Sequence, residues 1–206
     1  MAEPLLDVFI TGTDAGVGKS YVCSLLAMRA LAAGKRPGML KTVQTGDDDD
    51  ARWVARQVPG TAVATAFSYA TPITPAAAAA IEHEAPATIE HVVDVYRELR
   101  SRTDGVLVEG SEGLLTPINE HETIANVAQA LRLPLVIVCR PAFGTVNHTA
   151  LTIAAAHAHD IDVAGLVING ASARPDVDEQ ANRVALARLA TVLAIVEDDT
   201  LRSLSA

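Results

Sequence analysis

A doubly wound α/β domain, with a mostly parallel sheet and helices on both faces, is the fold class that three observations predict. Short apolar runs rich in Val, Ile and Leu recur at residues 7–11, 38–43, 105–109, 135–139, 163–169 and 191–196, and read as buried strands. Longer stretches with helical spacing of apolar residues lie between them, at 19–33, 89–102, 145–159 and 177–190. A Gly-rich loop joins the first strand to the first helix. Right-handed crossovers place every strand's C-terminal end on one edge of such a sheet, where ligands of open α/β folds bind.

The smaller elements follow in order. After the strand at 38–43, residues 47–50 are four aspartates leading into a helix at 51–58, where carboxylates favour the positive end of the helix dipole. Thr71-Pro72-Ile73-Thr74-Pro75 is a rigid, extended entry, because each proline pushes its predecessor out of helical dihedrals. The alanine run at 76–80 continues it as a helix through Ile81 and Glu82. No repeat or Gly/Ser linker divides the chain, so its 206 residues are expected to form one domain.

Composition narrows the function classes. Acidic residues outnumber basic ones by 25 to 16, a net charge of −9, which argues against nucleic acid or an anionic membrane as partner. Aromatic residues are only 3% of the chain, too few for base-stacking platforms. No apolar run approaches the ~18 residues of a transmembrane helix, and Met1-Ala2-Glu3-Pro4 lacks the layout of a secretory signal, so a cytoplasmic location is expected. Cys23 and Cys139 have no metal-ligand spacing and read as small buried hydrophobes. The acidic Glu197-Asp198-Asp199 reads as a solubilising segment.

The loop Gly12-Thr13-Asp14-Ala15-Gly16-Val17-Gly18-Lys19-Ser20 opens directly into an apolar helix. Strand, Gly-rich turn and helix in that order make a phosphate-binding loop. Backbone N–H groups and the helix dipole face the phosphates, Lys19 reaches the β/γ-phosphates, and Ser20 can ligate Mg²⁺. Its first glycine falls one place earlier than in the usual spacing, where Thr13 stands.

Other strand ends point to the same edge. Lys41-Thr42-Val43-Gln44-Thr45-Gly46 brings a second lysine toward the phosphates, suited to charge that develops in phosphoryl transfer. One of the aspartates at 47–50 could be a Mg²⁺ ligand, with Asp50 nearest the helix. Glu109 ends a buried strand, just before Gly110-Ser111-Glu112-Gly113, and is the second candidate ligand. Gly144-Thr145-Val146-Asn147-His148 opens a helix and is either an anion site or an ordinary cap.

In combination these segments resemble the dethiobiotin synthetase family of phosphate-loop NTPase fold, in family order across most of the chain: the loop through Ser20, Lys41 with Thr45-Gly46, Thr71-Pro72-Ile73-Thr74-Pro75, Val108-Glu109-Gly110, and Gly144-Thr145 with Asn147-His148. The resemblance implies an ATP- and Mg²⁺-dependent ligase that closes a cyclic urea on 7,8-diaminopelargonate with CO₂. It implies that Gly12, Thr13, and Gly16, Val17, Gly18, Lys19, Ser20 and Tyr21 hold the nucleotide with Gly110, Ser111 and Glu112, and that Asn169 meets its base. It places Mg²⁺ among Ser20, Asp50 and Glu109, gives Lys19 and Lys41 to catalysis and Lys41 and Thr45 to substrate. Gly144, Thr145 and Asn147 would take the carboxylate tail of a substrate held by the other subunit of a homodimer.

The chain departs from the family pattern at Ala15, Thr42 in place of proline, Ala76 in place of histidine, Glu112 in place of glycine, and residues 193–197 beside the base. An extra carboxylate at 112 is expected to weaken nucleotide binding unless it turns away or binds metal. Two other readings are a non-catalytic nucleotide-binding relative and a partitioning-type ATPase switch. The hallmark of the switch is a further lysine early in the loop, where this chain has Thr13-Asp14-Ala15.

Overall fold

The computed structural model describes residues 4–197 and 200–203. Met1-Ala2-Glu3 and Asp198-Asp199, both used in the sequence reading, lie outside the described residues. The elements run β1 (Val8–Gly12), α1 (Lys19–Ala32), β2 (Pro37–Thr45), α2 (Asp50–Gln57), β3 (Ala62–Tyr69), α3 (Pro75–Glu82), α4 (Ile89–Ser101), β4 (Gly105–Gly113), α5 (Ile124–Leu131), β5 (Leu135–Cys139), α6 (Thr145–Ala158), β6 (Val163–Ala171), α7 (Val177–Leu189), β7 (Val192–Glu197) and β8 (Thr200–Ser203). The eight strands form one sheet in the order β3-β2-β4-β1-β5-β6-β7-β8, parallel throughout except for the β7–β8 pair.

Two apolar layers sandwich this sheet. Val22, Cys23, Leu26 and Ala27 of α1 and Ala51 and Val54 of α2 pack with Val8, Ile10, Met39 and Leu107 on one face. Helices α3 to α7 supply the other, through residues such as Ala79, Val92, Leu99, Ile124, Ala156 and Leu186 against Phe9, Leu40 and Val108. Both cysteines are free and buried, as their isolated positions led us to expect.

Three elements escape the sequence pattern. The edge strand β3 alternates Ala62, Ala64 and Ala66 toward the larger core with Val63 toward the smaller one, so its period of two is carried by alanine, a helix former. Helix α5 starts without a Glu or Gln in the capping position; Asn126 Oδ1 instead accepts from the Thr123 N–H at 2.9 Å. Strand β8 is a short antiparallel addition to the opposite edge.

Candidate active site

The parallel register sets Lys41 of β2 directly beside Glu109 of β4. Their neighbours Met39 and Leu107 pack under α1 and α2, and since side chains alternate along a strand, Lys41 and Glu109 emerge on that same covered face. There Lys41 Nζ lies 2.6 Å from Glu109 Oε1 and 2.6 Å from Asp50 Oδ2. Ser20, in the first turn of α1, donates from Oγ to Glu109 Oε1 at 3.0 Å. The second Glu109 oxygen faces the Cys23 thiol, with Sγ at 3.7 Å. Glu109 is 1% exposed and Lys41 4%, so each charge depends on its partners. Burial works against the Lys41 charge, but Glu109 and Asp50 outweigh it and hold the ammonium above the ordinary lysine range. Burial and then Glu109 push the Cys23 thiol well above its usual value, so it stays protonated as a donor.

The four aspartates divide their labour. Asp49 caps α2, its carboxylate accepting from Arg52 N at 2.8 Å, while Asp50 turns to Lys41 and its own N–H is held by Gln44 Oε1 at 3.1 Å. Sequence reasoning gave Gln44 no role, nor Thr42, whose hydroxyl donates to the Glu109 carbonyl at 3.0 Å and ties β2 to β4. No sequence signal marked Cys23 as a partner of Glu109, because only the α1–β4 packing brings them together.

The phosphate loop is closed by packing. A Cβ on Gly12 would lie 2.6 Å from Val17 Cγ2 and 2.8 Å from the Asp14 carbonyl, so the early glycine is required where it stands. Gly18 has φ +95°, and a Cβ there would clash with Asn169 Nδ2. That amide donates to the Val17 carbonyl at 2.9 Å, so Asn169 clamps the loop. Lys19 Nζ donates to the Asp14 carbonyl at 3.2 Å and to the Glu112 carbonyl at 2.6 Å. Its pKa is lowered, by burial first, with Glu109 pulling the other way.

Glu112 has φ +49°, a left-handed conformation that favours glycine. Glycine would take this conformation without strain. The turn aims the Glu112 carbonyl at Lys19, while the carboxylate takes a long contact of 3.4 Å from the Thr116 hydroxyl.

A cavity of about 660 Å³ opens over this floor. Of the sequence-selected residues it brings together Gly16, Gly18, Lys19, Ser20, Tyr21, Lys41, Thr45, Asp50, Glu109, Ser111 and Glu112, with Trp53 and Arg56 as unanticipated wall residues. Gly12, Thr13 and Glu112 also line a second cavity of about 360 Å³ that reaches His148 and Leu151 of α6. Val17, Gly110, Gly144, Thr145, Asn147 and Asn169 line neither cavity. Val17 is 3% exposed and packs in the core, and a Cβ on Gly110 would lie 2.8 Å from Ile124 Cγ2. Gly144 adopts φ +85° as the N-cap of α6.

The donors suit Mg²⁺. Two carboxylates, Asp50 and Glu109, meet at a point already held by a cation, the Lys41 ammonium, and the Ser20 hydroxyl stands on the same Glu109 oxygen. Among the described residues no cluster of three or more His, Cys, Asp or Glu side chains could cage a metal, and Mg²⁺ bound with a nucleotide takes only one or two carboxylates beside phosphate and water oxygens.

A mostly parallel sheet with a phosphate loop after β1, a hydroxyl following its lysine and an acidic residue on the neighbouring strand β4 define a nucleotide-binding protein of the phosphate-loop NTPase class. Similar folds include a ParA family ATPase from Chlorobium tepidum (13% identity, TM-score 0.58, covering 95% of this chain and 86% of that one) and the cell division ATPase MinD from Pyrococcus furiosus (16%, TM-score 0.54, 94% and 84%). A family model described as an AAA domain matches residues 7–202. Curated dethiobiotin synthetases are much closer in sequence: 41% identity to that of Mycobacterium avium, covering 91% of this chain and 84% of the relative, 39% to that of an Anaeromyxobacter strain (88% and 84%), and 33% to that of Bacillus subtilis (89% and 83%). The chain belongs to the ATP-dependent dethiobiotin synthetase family.

Proposed function

We propose that this chain is a single-domain, ATP- and Mg²⁺-dependent cyclo-ligase that forms dethiobiotin from 7,8-diaminopelargonate and CO₂ in biotin biosynthesis. The observation that carries the reading is the cluster beside the phosphate loop in which Asp50 and Glu109 share the Lys41 ammonium and Ser20 hydrogen-bonds Glu109. In this reading the N–H groups of Gly16 to Tyr21 and the Lys19 ammonium hold the triphosphate. Bound Mg²⁺ would sit among Ser20, Asp50 and Glu109 and offset the phosphate charge.

One substrate amine captures CO₂ as a carbamate, whose oxygen attacks the γ-phosphorus and expels ADP. The second amine attacks the carbamoyl carbon of the resulting carbamic-phosphoric anhydride, expels phosphate and closes the ring. No strong general base is required of the protein. Lys41 and Lys19 neutralise the developing charge and Thr45 orients the diamine, so catalysis is positioning and electrostatics. Asn169, which holds the Val17 carbonyl of the loop, would in this reading also meet the nucleotide base, and Gly110, Ser111 and Glu112 would contact the nucleotide.

We place the protein in the cytoplasm as a homodimer, with no nucleic-acid or membrane partner; no helix among the described residues is long and apolar enough to cross a membrane. The dimer is supported by exposed Phe143, Leu115 and Leu151, the last two lining the cavity that Thr13 and His148 share. Its face would bring Gly144, Thr145 and Asn147 of one subunit to the substrate of the other.

Purified protein with 7,8-diaminopelargonate, bicarbonate, Mg²⁺ and ATP should yield dethiobiotin, ADP and phosphate in equal amounts. Intact nucleotide binding with no dethiobiotin would instead make it a non-catalytic relative. Phe143→Asp should convert the dimer to monomer by sedimentation, and an unchanged sedimentation coefficient would remove this face from the interface.

A further inference from the structure

We propose that Lys41 and the divalent cation are alternative occupants of one cage, so that metal loading expels the Lys41 ammonium and releases it to the reacting groups. The inference rests on reading Ser20, Asp50 and Glu109 as the Mg²⁺ site, not on which reaction follows.

The argument begins with lone pairs. A carboxylate oxygen offers about two acceptor positions, and Glu109 Oε1 already accepts from Ser20 Oγ at 3.0 Å and from Lys41 Nζ at 2.6 Å. Its companion Oε2 is turned inward to the Cys23 thiol. Both acceptor positions of Glu109 Oε1 are therefore taken, and one of the two on Oε2. Asp50 Oδ2 is engaged by the same ammonium at 2.6 Å. A divalent cation that takes Glu109 Oε1 and Asp50 Oδ2, the two oxygens that share the ammonium, needs the Ser20 hydroxyl to present a lone pair instead of its proton, and needs Lys41 to give up its contacts.

Electrostatics act in the same direction. Lys41 is the counter-ion that makes a 1%-exposed Glu109 tolerable in the absence of metal. Once a divalent cation neutralises the two carboxylates, the ammonium faces a stronger positive charge at close range and loses its attraction to them. Its flexible stem lets it swing into the cavity that it lines together with Thr45 and the phosphate loop. Lys41 thus keeps the two carboxylates preassembled while the site is empty, and becomes available for charge neutralisation only after metal has bound.

The test uses Mn²⁺ as probe on the nucleotide-free full chain, with binding read by calorimetry or electron paramagnetic resonance. Lys41→Met should bind Mn²⁺ roughly ten-fold or more tightly than the parent, because the internal competitor is gone. Lys41→Arg, which keeps the charge, should bind it no more tightly than the parent. Equal or weaker binding by a folded Lys41→Met overturns the proposal.

Should Lys41→Met fail to fold, the parent chain supplies an independent readout. Its only lysines are Lys19, Lys35 and Lys41, so labelling with an amine reagent and peptide mass spectrometry resolves each one. Saturating Mn²⁺ should raise Lys41 labelling severalfold while exposed Lys35 stays constant; an unchanged Lys41 rate at saturation overturns the exchange. Neither measurement involves dethiobiotin formation, so failure of the ligase reading and failure of this one are separable.

Discussion

Replacing Glu112 separates backbone strain from charge at the phosphate site. The residue holds φ +49°, and a left-handed conformation costs a residue with a Cβ about 1–2 kcal/mol. Glycine removes that cost but gives back about 0.5–1 kcal/mol in unfolded-chain entropy. The side-chain contact to Thr116, at 3.4 Å, is too long to contribute much. Glu112→Gly should therefore stabilise the protein by about 0.5–1 kcal/mol, a rise of about 1–4 °C in Tm for a chain of this size. Glu112→Ala keeps the Cβ and the strain, and should melt within about 1 °C of the parent. Both variants retain the carbonyl that accepts from Lys19, and both remove a carboxylate from the cavity. Both should therefore tighten nucleotide binding by a similar factor, less than about ten-fold, since the Glu112 charge is the weakest of those acting on Lys19. Urea unfolding and nucleotide titration of the three proteins check this. Equal stabilisation by alanine and glycine would refute the strain argument, and opposite changes in affinity would refute the charge argument.

The remaining predictions address neighbouring parts of the site. Asp49→Ala should cost about 1 kcal/mol of stability through its lost cap with Mg²⁺ dependence intact, whereas Asp50→Asn should raise the Mg²⁺ concentration needed for turnover; swapped phenotypes in denaturant and Mg²⁺ titrations would reverse the assignment. Gly18→Ala should weaken nucleotide binding, because its Cβ would clash with the Asn169 amide at a positive φ, and the double variant with Asn169→Ala should recover part of the loss in a binding cycle; strict additivity would show that the clash is not the cause. Burial raises the Cys139 thiol from 9.0 to about 11. The native state then keeps a proton that the unfolded chain releases, so the stability this thiol contributes is complete below pH 9 and is lost as pH rises through about 11. Cys139→Ala should flatten that alkaline decline in urea midpoints, and an identical decline would place its origin elsewhere.

Much of this protein was legible in one dimension because its signals are local. The phosphate loop needs a strand, glycines and a helix start within a dozen positions, and buried parallel strands show as short apolar runs whatever their order in the sheet. The shared crevice followed from the parallel topology, which sends the C-terminal halves of the strands to one side, and the ligase chemistry from the family resemblance that residues on those strands carry; the structure continues β2 and β4 past Lys41 and Glu109, which stand at mid-strand and not at strand ends. Elements whose stability is not local were invisible: β3 is an alanine-bearing edge that depends on β2, and β8 exists only as an antiparallel partner of β7.

The same distinction runs through the site. Sequence by itself determined that Lys19, Ser20, Lys41, an aspartate and Glu109 share one crevice. Only tertiary structure decided among four adjacent aspartates, because helix capping consumes Asp49 while the next side chain, turned about 100° on α2, meets Lys41. It also joined Cys23 to Glu109 across the core and set Lys41 in register with Glu109, contacts between residues 86 and 68 positions apart. Two of the acidic residues of the composition, Asp50 and Glu109, thereby become a lysine-compensated pair on the cavity floor, since a carboxylate 1% exposed is tolerated only where the fold brings a cation to it.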